Sequence, residues 1–410
     1  MRVSTAQFYL QSSQQMSQKT SDVNERMAYL TSGKRVLTAK DDAVSFGTLA
    51  GYKNDLANID QYKRNIDRAE SHNNLQEVVF ADAEVILDQI KQDMLLANNG
   101  RMSSEDLQVL ADQVRNNFDQ LLNIGNTKNE NGDYIFSGYQ TTVKPFSQQS
   151  DGTVVYSGDD GVNNIQVSKN IDIALNQTGD AAFLNVSNAI GNFKASYPAA
   201  PNTNTSGVAL ESANVVDRGA YNTSPLPHNY TFDFDTPDGN LTVTGTSGVV
   251  FPVPPAVPAP YAAGQTVSFE GIDVTLSGNP LPGESFEMSE QEDISIFETV
   301  NNAIKWMEQG TLSEGREQQQ VDYNSILTQL NSAMSHVTSR RVDAGVRLQA
   351  LDNQKNRHLD TELATTTNRG KIEDLDFAKA ISEFEQTKIA LQASQQAFSK
   401  VQGLTLFNYI

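Results

Sequence analysis

Phe377-Ala378-Lys379-Ala380-Ile381-Ser382-Glu383-Phe384 opens a stretch in which Phe377, Phe384, Leu391 and Phe398 recur every seven residues, with Ile381 and Val401 beside them. A seven-residue apolar repeat marks a helix that buries one narrow stripe against a partner helix. The matching stripe lies at the other end of the chain. Tyr9, Met16, Val23 and Leu30 repeat at the same interval, and Ala6, Ser13, Thr20 and Met27 occupy the adjacent register. A helix with so narrow a stripe cannot bury it on itself. The economical arrangement pairs the amino- and carboxy-terminal regions as a helical hairpin and lets the intervening chain project from it. Outer faces such as Gln11-Ser12-Ser13-Gln14-Gln15 are polar but uncharged, suited to hydrogen-bonded packing against copies as well as to solvation.

Working inward, residues 1–136 and 290–410 are helical in pattern and free of proline, while all 13 prolines lie between Pro145 and Pro282. Proline interrupts helices, so this partition separates a middle insertion from its helical flanks. In the first flank, Gly33 interrupts and Asp41-Asp42 supplies the acidic first turn of a new helix. A further helix is expected over about Asn73 to Asn99, closing on Gly100. Ser103 followed by Asp106 opens another, which carries Leu107, Leu110, Val114, Phe118 and Leu121 and ends at Gly125. In the last flank, Tyr323, Leu327, Leu330, Met334, Val337, Arg341, Ala344, Leu348 and Leu351 step by four and three. Continued through Leu363, that helix spans roughly 60 Å at 1.5 Å per residue, and Gly370 is expected to break it. Arg341 falls in the apolar register, where it either pairs with a carboxylate across the seam or snorkels.

The middle alternates short strands with turns. Thr153-Val154-Val155-Tyr156, Tyr230-Thr231-Phe232-Asp233-Phe234 and Ile272-Asp273-Val274-Thr275-Leu276 read as strands, and Asp238-Gly239 as a turn. The proline-rich run 251–260 reads as a stiff loop that can divide the β zone into two lobes. The fold class is therefore α+β.

Composition narrows the function. A net charge of −20 opposes nonspecific binding to nucleic acid or anionic membrane. Between Ser137 and Glu290 the basic residues are Lys144, Lys169, Lys194 and Arg218 alone, so no basic face can form there. The absence of cysteine suits a chain that crosses compartments without cross-linking. The amino terminus carries no Sec-type signal, and no run reaches the length of a membrane span. Catalytic motifs of the metalloprotease, serine-hydrolase and P-loop kinds are missing, so no enzymatic activity and no cofactor are expected. His72, His228, His336 and His358 lack ligand spacing; the last two are expected on the surface or in the seam. Asp159-Asp160-Gly161 reads as a turn, since it lacks the alternating oxygens of a calcium loop.

Leu30-Thr31-Ser32-Gly33-Lys34-Arg35-Val36 with Ala39-Lys40-Asp41-Asp42-Ala43 resembles the amino-terminal signature of the flagellin superfamily, and Ala390-Leu391-Gln392-Ala393-Ser394 resembles its other end. Gly132-Asp133-Tyr134-Ile135-Phe136-Ser137-Gly138 with Pro145-Phe146 is similar to the helix-to-β transition of the hook-associated protein 3 family. So is the ending Gly403-Leu404-Thr405-Leu406-Phe407-Asn408-Tyr409-Ile410. The resemblance covers both helical flanks and touches the β zone at Tyr156 to Gly161 and Gly264 to Met288, leaving out Phe183 to His228. It implies a flagellin-like layering. Residues 1–40 with 371–410 would form the inner tube, 41–137 with 290–370 the surrounding helical shell, and 138–289 an outward β domain.

The resemblance further implies export through the flagellar type III apparatus with a dedicated chaperone, and a place outside the cell. There the chain would form a ring of copies between the first hook–filament junction protein and flagellin. The assembly stripe then comprises Tyr9, Met16, Val23, Leu30, Phe377, Ile381, Phe384, Leu391, Phe398 and Val401. Two other readings compete. One is a divergent filament flagellin, disfavoured by the terminal Leu406-Phe407-Asn408-Tyr409-Ile410. The other is an adhesin or carbohydrate-binding module on a helical stalk, which needs an exposed aromatic platform; Tyr221, Tyr230 and Tyr261 are the candidates, expected first as core or loop residues.

Overall fold

Helices dominate both flanks because long proline-free runs with an apolar period leave the backbone no better way to satisfy its hydrogen bonds. The computed structural model describes residues 2–198, 204–252, 257–310 and 315–407, with side chains from Gln7 to Lys400. Two compact units result, residues 1–66 with 352–410 and residues 67–351.

Helix α1 spans Arg2–Ser32 and stops at Gly33, whose φ of 69° only glycine adopts without strain. Helix α2 runs unbroken over Ala43–Ala97, so the helix expected from Asn73 is only its second half. Its first half buries few residues, Leu49, Ile59 and Ile66 among them, and so shows a faint apolar period. Asp42 precedes that helix instead of lying in its first turn, and its carboxylate accepts from the Ser45 N–H at 3.0 Å. Helix α3 (Ser104–Gly125) begins with the Ser103–Asp106 capping box read from the sequence.

The chain then enters its β region: β1 (Phe146–Gln148), β2 (Val154–Tyr156), β3 (Asn164–Ser168), β4 (Ile171–Ala174), a π-helical turn (Asp180–Leu184), β5 (Val186–Ser187), β6 (Phe193–Ser196), β7 (Ala209–Val215), α4 (Arg218–Thr223), β8 (Asn229–Phe234), β9 (Leu241–Gly245), β10 (Gly248–Phe251), β11 (Thr266–Phe269), β12 (Ile272–Ser277), β13 (Ser285–Glu290) and β14 (Asp293–Ile294). Helices α5 (Ile296–Glu308), α6 (Arg316–Glu373) and α7 (Phe377–Phe407) complete it.

Gly370 does not end α6, which continues to Glu373 for 58 residues. One glycine costs a helix about 1 kcal/mol, too little to stop one held by packing. The stop falls at Asp374–Asp376, where Asp374 bridges to Lys34 and Asp376 caps α7 by accepting from Lys379 N–H at 3.1 Å.

Two cores form in the second unit. The first gathers Phe80, Leu87 and Met94 of α2, Val114 and Phe118 of α3, Phe297 of α5 and Leu330 and Val337 of α6. Phe146, Phe183 and Val186 join it from the β region. Phe146 meets Phe297 at 5.0 Å and Phe183 meets Phe136 at 5.1 Å, edge to face or tilted as aromatic quadrupoles prefer. Arg341 is not snorkelling here: its Nε donates to Glu77 at 2.7 Å and its Nη1 to Glu84 at 3.0 Å, clasping α6 to α2.

The second core lies between a five-stranded sheet ordered β10-β9-β8-β13-β6 and a three-stranded sheet ordered β11-β12-β7, all pairs antiparallel. Phe193, Tyr230, Phe232, Phe269, Ile272 and Phe286 fill it, drawn from both sides of the proline-rich run. Residues 253–256 of that run lie outside the described residues. Strands β8 and β12 show the alternating burial expected of sheets with one covered face. Tyr221, Tyr230 and Tyr261 are 8%, 2% and 8% exposed, so they are core and offer no aromatic platform.

Candidate assembly interface

The first unit brings the chain's two ends together. Helices α1 and α7 pack side by side, and Tyr9 meets Phe398 edge to face at 5.8 Å. Arg26 Nη1 donates to Glu383 Oε2 at 2.6 Å. On α1, Tyr9, Met16, Val23 and Leu30 are half-buried, whereas Ser13, Thr20 and Met27 of the adjacent register are exposed. Ser12 and Lys19 are half-buried instead, on the other flank of the stripe. On α7, Phe384, Leu391 and Phe398 are half-buried, but Phe377 and Ile381 are 53% and 52% exposed. Ala6, Val401 and the ending Gly403 to Ile410 lie outside the described side chains. Beside the seam, Phe8, Leu10, Met27 and Ile389 are also exposed. One edge of each helix is closed and an apolar flank stays open.

At the root of this pair sits a cluster that the sequence pattern did not signal. The loop after α1 and the break before α7 exchange backbone hydrogen bonds: Arg35 N–H donates to Glu373 O at 2.7 Å and Leu375 N–H to Gly33 O at 3.0 Å. Arg35 also donates from Nε and Nη2 to Ile372 O at 3.2 and 3.0 Å. Glu373 is 6% exposed and lies among three cations, with Lys34 Nζ at 2.7 Å, Arg369 Nε at 3.4 Å and Lys53 Nζ at 3.9 Å. Hydrogen bonding from Lys34 holds its carboxyl below the usual range, against the opposing effect of burial. In the same loop after α1, Asp41 accepts from Thr38 and Leu37 N–H and from the Tyr29 hydroxyl. The Thr38 backbone bond, followed by Tyr29, draws Asp41 down to about 2, while burial and Asp41 push Tyr29 up to about 12. The only trace of this cluster in the sequence is the Gly33-Lys34-Arg35 run; its partner Glu373 is too distant along the chain for any periodicity to link them.

No helix among the described residues is long and apolar enough to cross a membrane. His358 stacks on Tyr62 at 5.4 Å in the seam, and His336 contacts Ala181 O at 2.8 Å. Asp159 accepts from Tyr139 and Gly161 N–H at 2.7 and 2.9 Å, the geometry of a turn.

Family models describing the bacterial flagellin N-terminal and C-terminal helical regions match residues 3–141 and 327–410. The crystal structure of flagellar hook-associated protein 3 from Legionella pneumophila superposes with a TM-score of 0.67 at 31% identity, covering 78% of this chain and 98% of that one. Another structure, described as the flagellar junction protein FlgL from the same organism, gives 0.65 at 31%, covering 79% and 100%. Flagellar hook-associated protein 3 of Escherichia coli K12 is 22% identical over 407 residues, 99% of each chain.

Proposed function

The chain belongs to the flagellar hook-associated protein 3 family of flagellin-like proteins, and from that premise we propose how it serves as a structural subunit of the hook–filament junction. The observation that carries the reading is the half-closed terminal seam. Tyr9, Met16, Val23, Leu30, Phe384, Leu391 and Phe398 bury one edge, while Phe377, Ile381 and Ile389 are left to be covered by neighbours. Exposed apolar stripes of this kind are completed by further helices. The neighbours are copies of the same chain in a ring, with the first junction protein on one side and flagellin on the other.

Residues 1–40 with 371–410 line the inner layer of that ring, 41–137 with 290–370 form the shell, and 138–289 face outward. The chain reaches this place outside the cell through the flagellar type III apparatus, escorted by its chaperone, which its lack of cysteine suits. It acts by assembly and catalyses nothing. A filament flagellin would be abundant along the whole polymer; an adhesin needs the platform that buried Tyr221, Tyr230 and Tyr261 do not supply. Immunogold labelling of purified flagella is the test. Label in one narrow band between hook and filament is expected, and label along the filament would overturn the reading.

A further inference from the structure

Heptad stripes leave an ambiguity that the terminal pair must resolve. Stepping from Arg35–Glu373, just beyond α1 and just ahead of α7, to Arg26–Glu383 moves nine residues back along the chain into α1 and ten forward into α7. From there to Tyr9–Phe398 the steps are seventeen and fifteen. One antiparallel register therefore holds from root to tip, and in it Met16 falls level with Leu391, Val23 with Phe384 and Leu30 with Phe377. Sliding α7 by seven residues would set Met16 level with Phe398, Val23 with Leu391 and Leu30 with Phe384. Three of the four apolar layers would re-form with much the same residue types. A one-residue slip is excluded by the 100° turn of the helix, but a heptad slip is nearly degenerate in the stripe alone.

We propose that the Glu373 cluster is a register lock, which fixes the axial alignment of the two terminal helices before any neighbouring subunit arrives. This rests on the junction reading only for its purpose; the alignment itself belongs to the single chain. The cluster is specific where the stripe is repetitive. Glu373 is almost fully buried four residues ahead of α7, and in this register it meets Lys34 and Lys53, while Arg369, four residues back on α6, accompanies it in any register. A heptad slip would withdraw its carboxylate from Lys34 and break both backbone bonds, Arg35 to Glu373 and Leu375 to Gly33. A buried charge deprived of its partner is among the costliest local defects, so the slipped register is suppressed at the root even though the stripe tolerates it. Gly33 belongs to the same lock: its positive φ turns the chain under Phe377, whose Cζ lies 3.5 Å from where a Cβ would stand. In a ring, every subunit must present its open flank at the same height, and a mixture of registers would prevent closure.

The chain has no cysteine, so paired spin labels report the register without background. Thr20→Cys and Gln395→Cys place nitroxides on exposed positions of α1 and α7 in the full chain. Double electron–electron resonance should give one narrow distance population in the otherwise native protein. Glu373→Lys, which sets a fourth cation among the three, should add a population displaced by about 10 Å along the helix axis, seven residues at 1.5 Å each. Lys34→Glu combined with Glu373→Lys should restore the single population. Three results would each overturn the lock. They are an unchanged single population in Glu373→Lys, a featureless distribution showing that the helices merely separate, and failure of the charge swap to restore the native distance. The measurement uses the isolated chain, so any of these leaves the junction role standing, whereas immunogold label along the filament would sink that role and leave the lock untouched.

Discussion

Phe384→Ala with Leu391→Ala removes two successive layers from the middle of the α7 stripe. Complete burial makes Phe→Ala cost about 3–5 kcal/mol and Leu→Ala about 2–5 kcal/mol. Both side chains are half-buried in the single chain. Scaling by that burial leaves about 1–2.5 kcal/mol each, so about 2–5 kcal/mol for the pair once the layers are treated as additive, with a middle value of about 3–4 kcal/mol. At 1.4 kcal/mol per factor of ten, the closed seam becomes two to three orders of magnitude less favoured, roughly. Neighbours that cover the remaining half of each side chain in a ring raise the loss towards the full value in every subunit. The second unit contains neither residue, so its thermal unfolding should be unchanged by circular dichroism. Cells carrying the double variant should bear hooks without filaments and release flagellin into the medium. Gln386→Ala with Gln392→Ala, both on the exposed face of the same helix, is the control and should swim normally. Normal filaments on the double variant, with wild-type export, would refute the claim that this stripe drives assembly.

Three further outcomes are expected. Replacing residues 189–290 by a short Gly/Ser bridge should leave the helical core folded and junction formation partly intact, because Asn188 and Gln291 already touch, Nδ2 to O, at 3.0 Å. Complete loss of filaments from a well-exported deletion protein would show the two-sheet β core to be essential. Glu284, 7% exposed, accepts from Thr205 and Ser206 through both backbone and hydroxyl groups and from Leu281 N–H. Burial alone would raise its carboxyl, but the Ser206, Leu281 and Thr205 hydrogen bonds outweigh it and hold the folded value low. A depressed folded value makes its contribution complete above the unfolded value of about 4.3, and lost as pH falls through the folded value. Glu284→Gln should cost the two-sheet β region about 1–3 kcal/mol at pH 7, and the difference from wild type should shrink below pH 4 in denaturant titrations; a pH-independent difference would discard the assignment. Gly33→Ala, at φ 69°, should destabilise the root of the terminal pair by about 1–2 kcal/mol and speed amide exchange at Arg35 and Leu375. Unchanged exchange there would show that the turn is not under conformational constraint.

Local pattern was enough to reveal much of this protein. The seven-residue spacing of Tyr9 to Leu30 and of Phe377 to Phe398 announced two narrow helical stripes, and the confinement of proline to 145–282 marked off the β region. The Ser103–Asp106 cap was legible too, since its partners lie three residues apart. Such features depend on neighbours within a few residues, where backbone geometry alone dictates who can meet whom. Helix ends were less legible. Gly370 reads as a breaker, yet α6 passes through it, because packing along a 58-residue helix outweighs one glycine's entropy. Tertiary structure alone decided that Phe146 and Phe183 join the helical core, that Arg341 grips Glu77 and Glu84, and which flank of the α1 stripe is covered. It alone brought Lys34 to Glu373. A repeat states that two helices will pair but is nearly indifferent to a shift of one period; only groups that occur once, brought together from distant parts of the chain, can select the register.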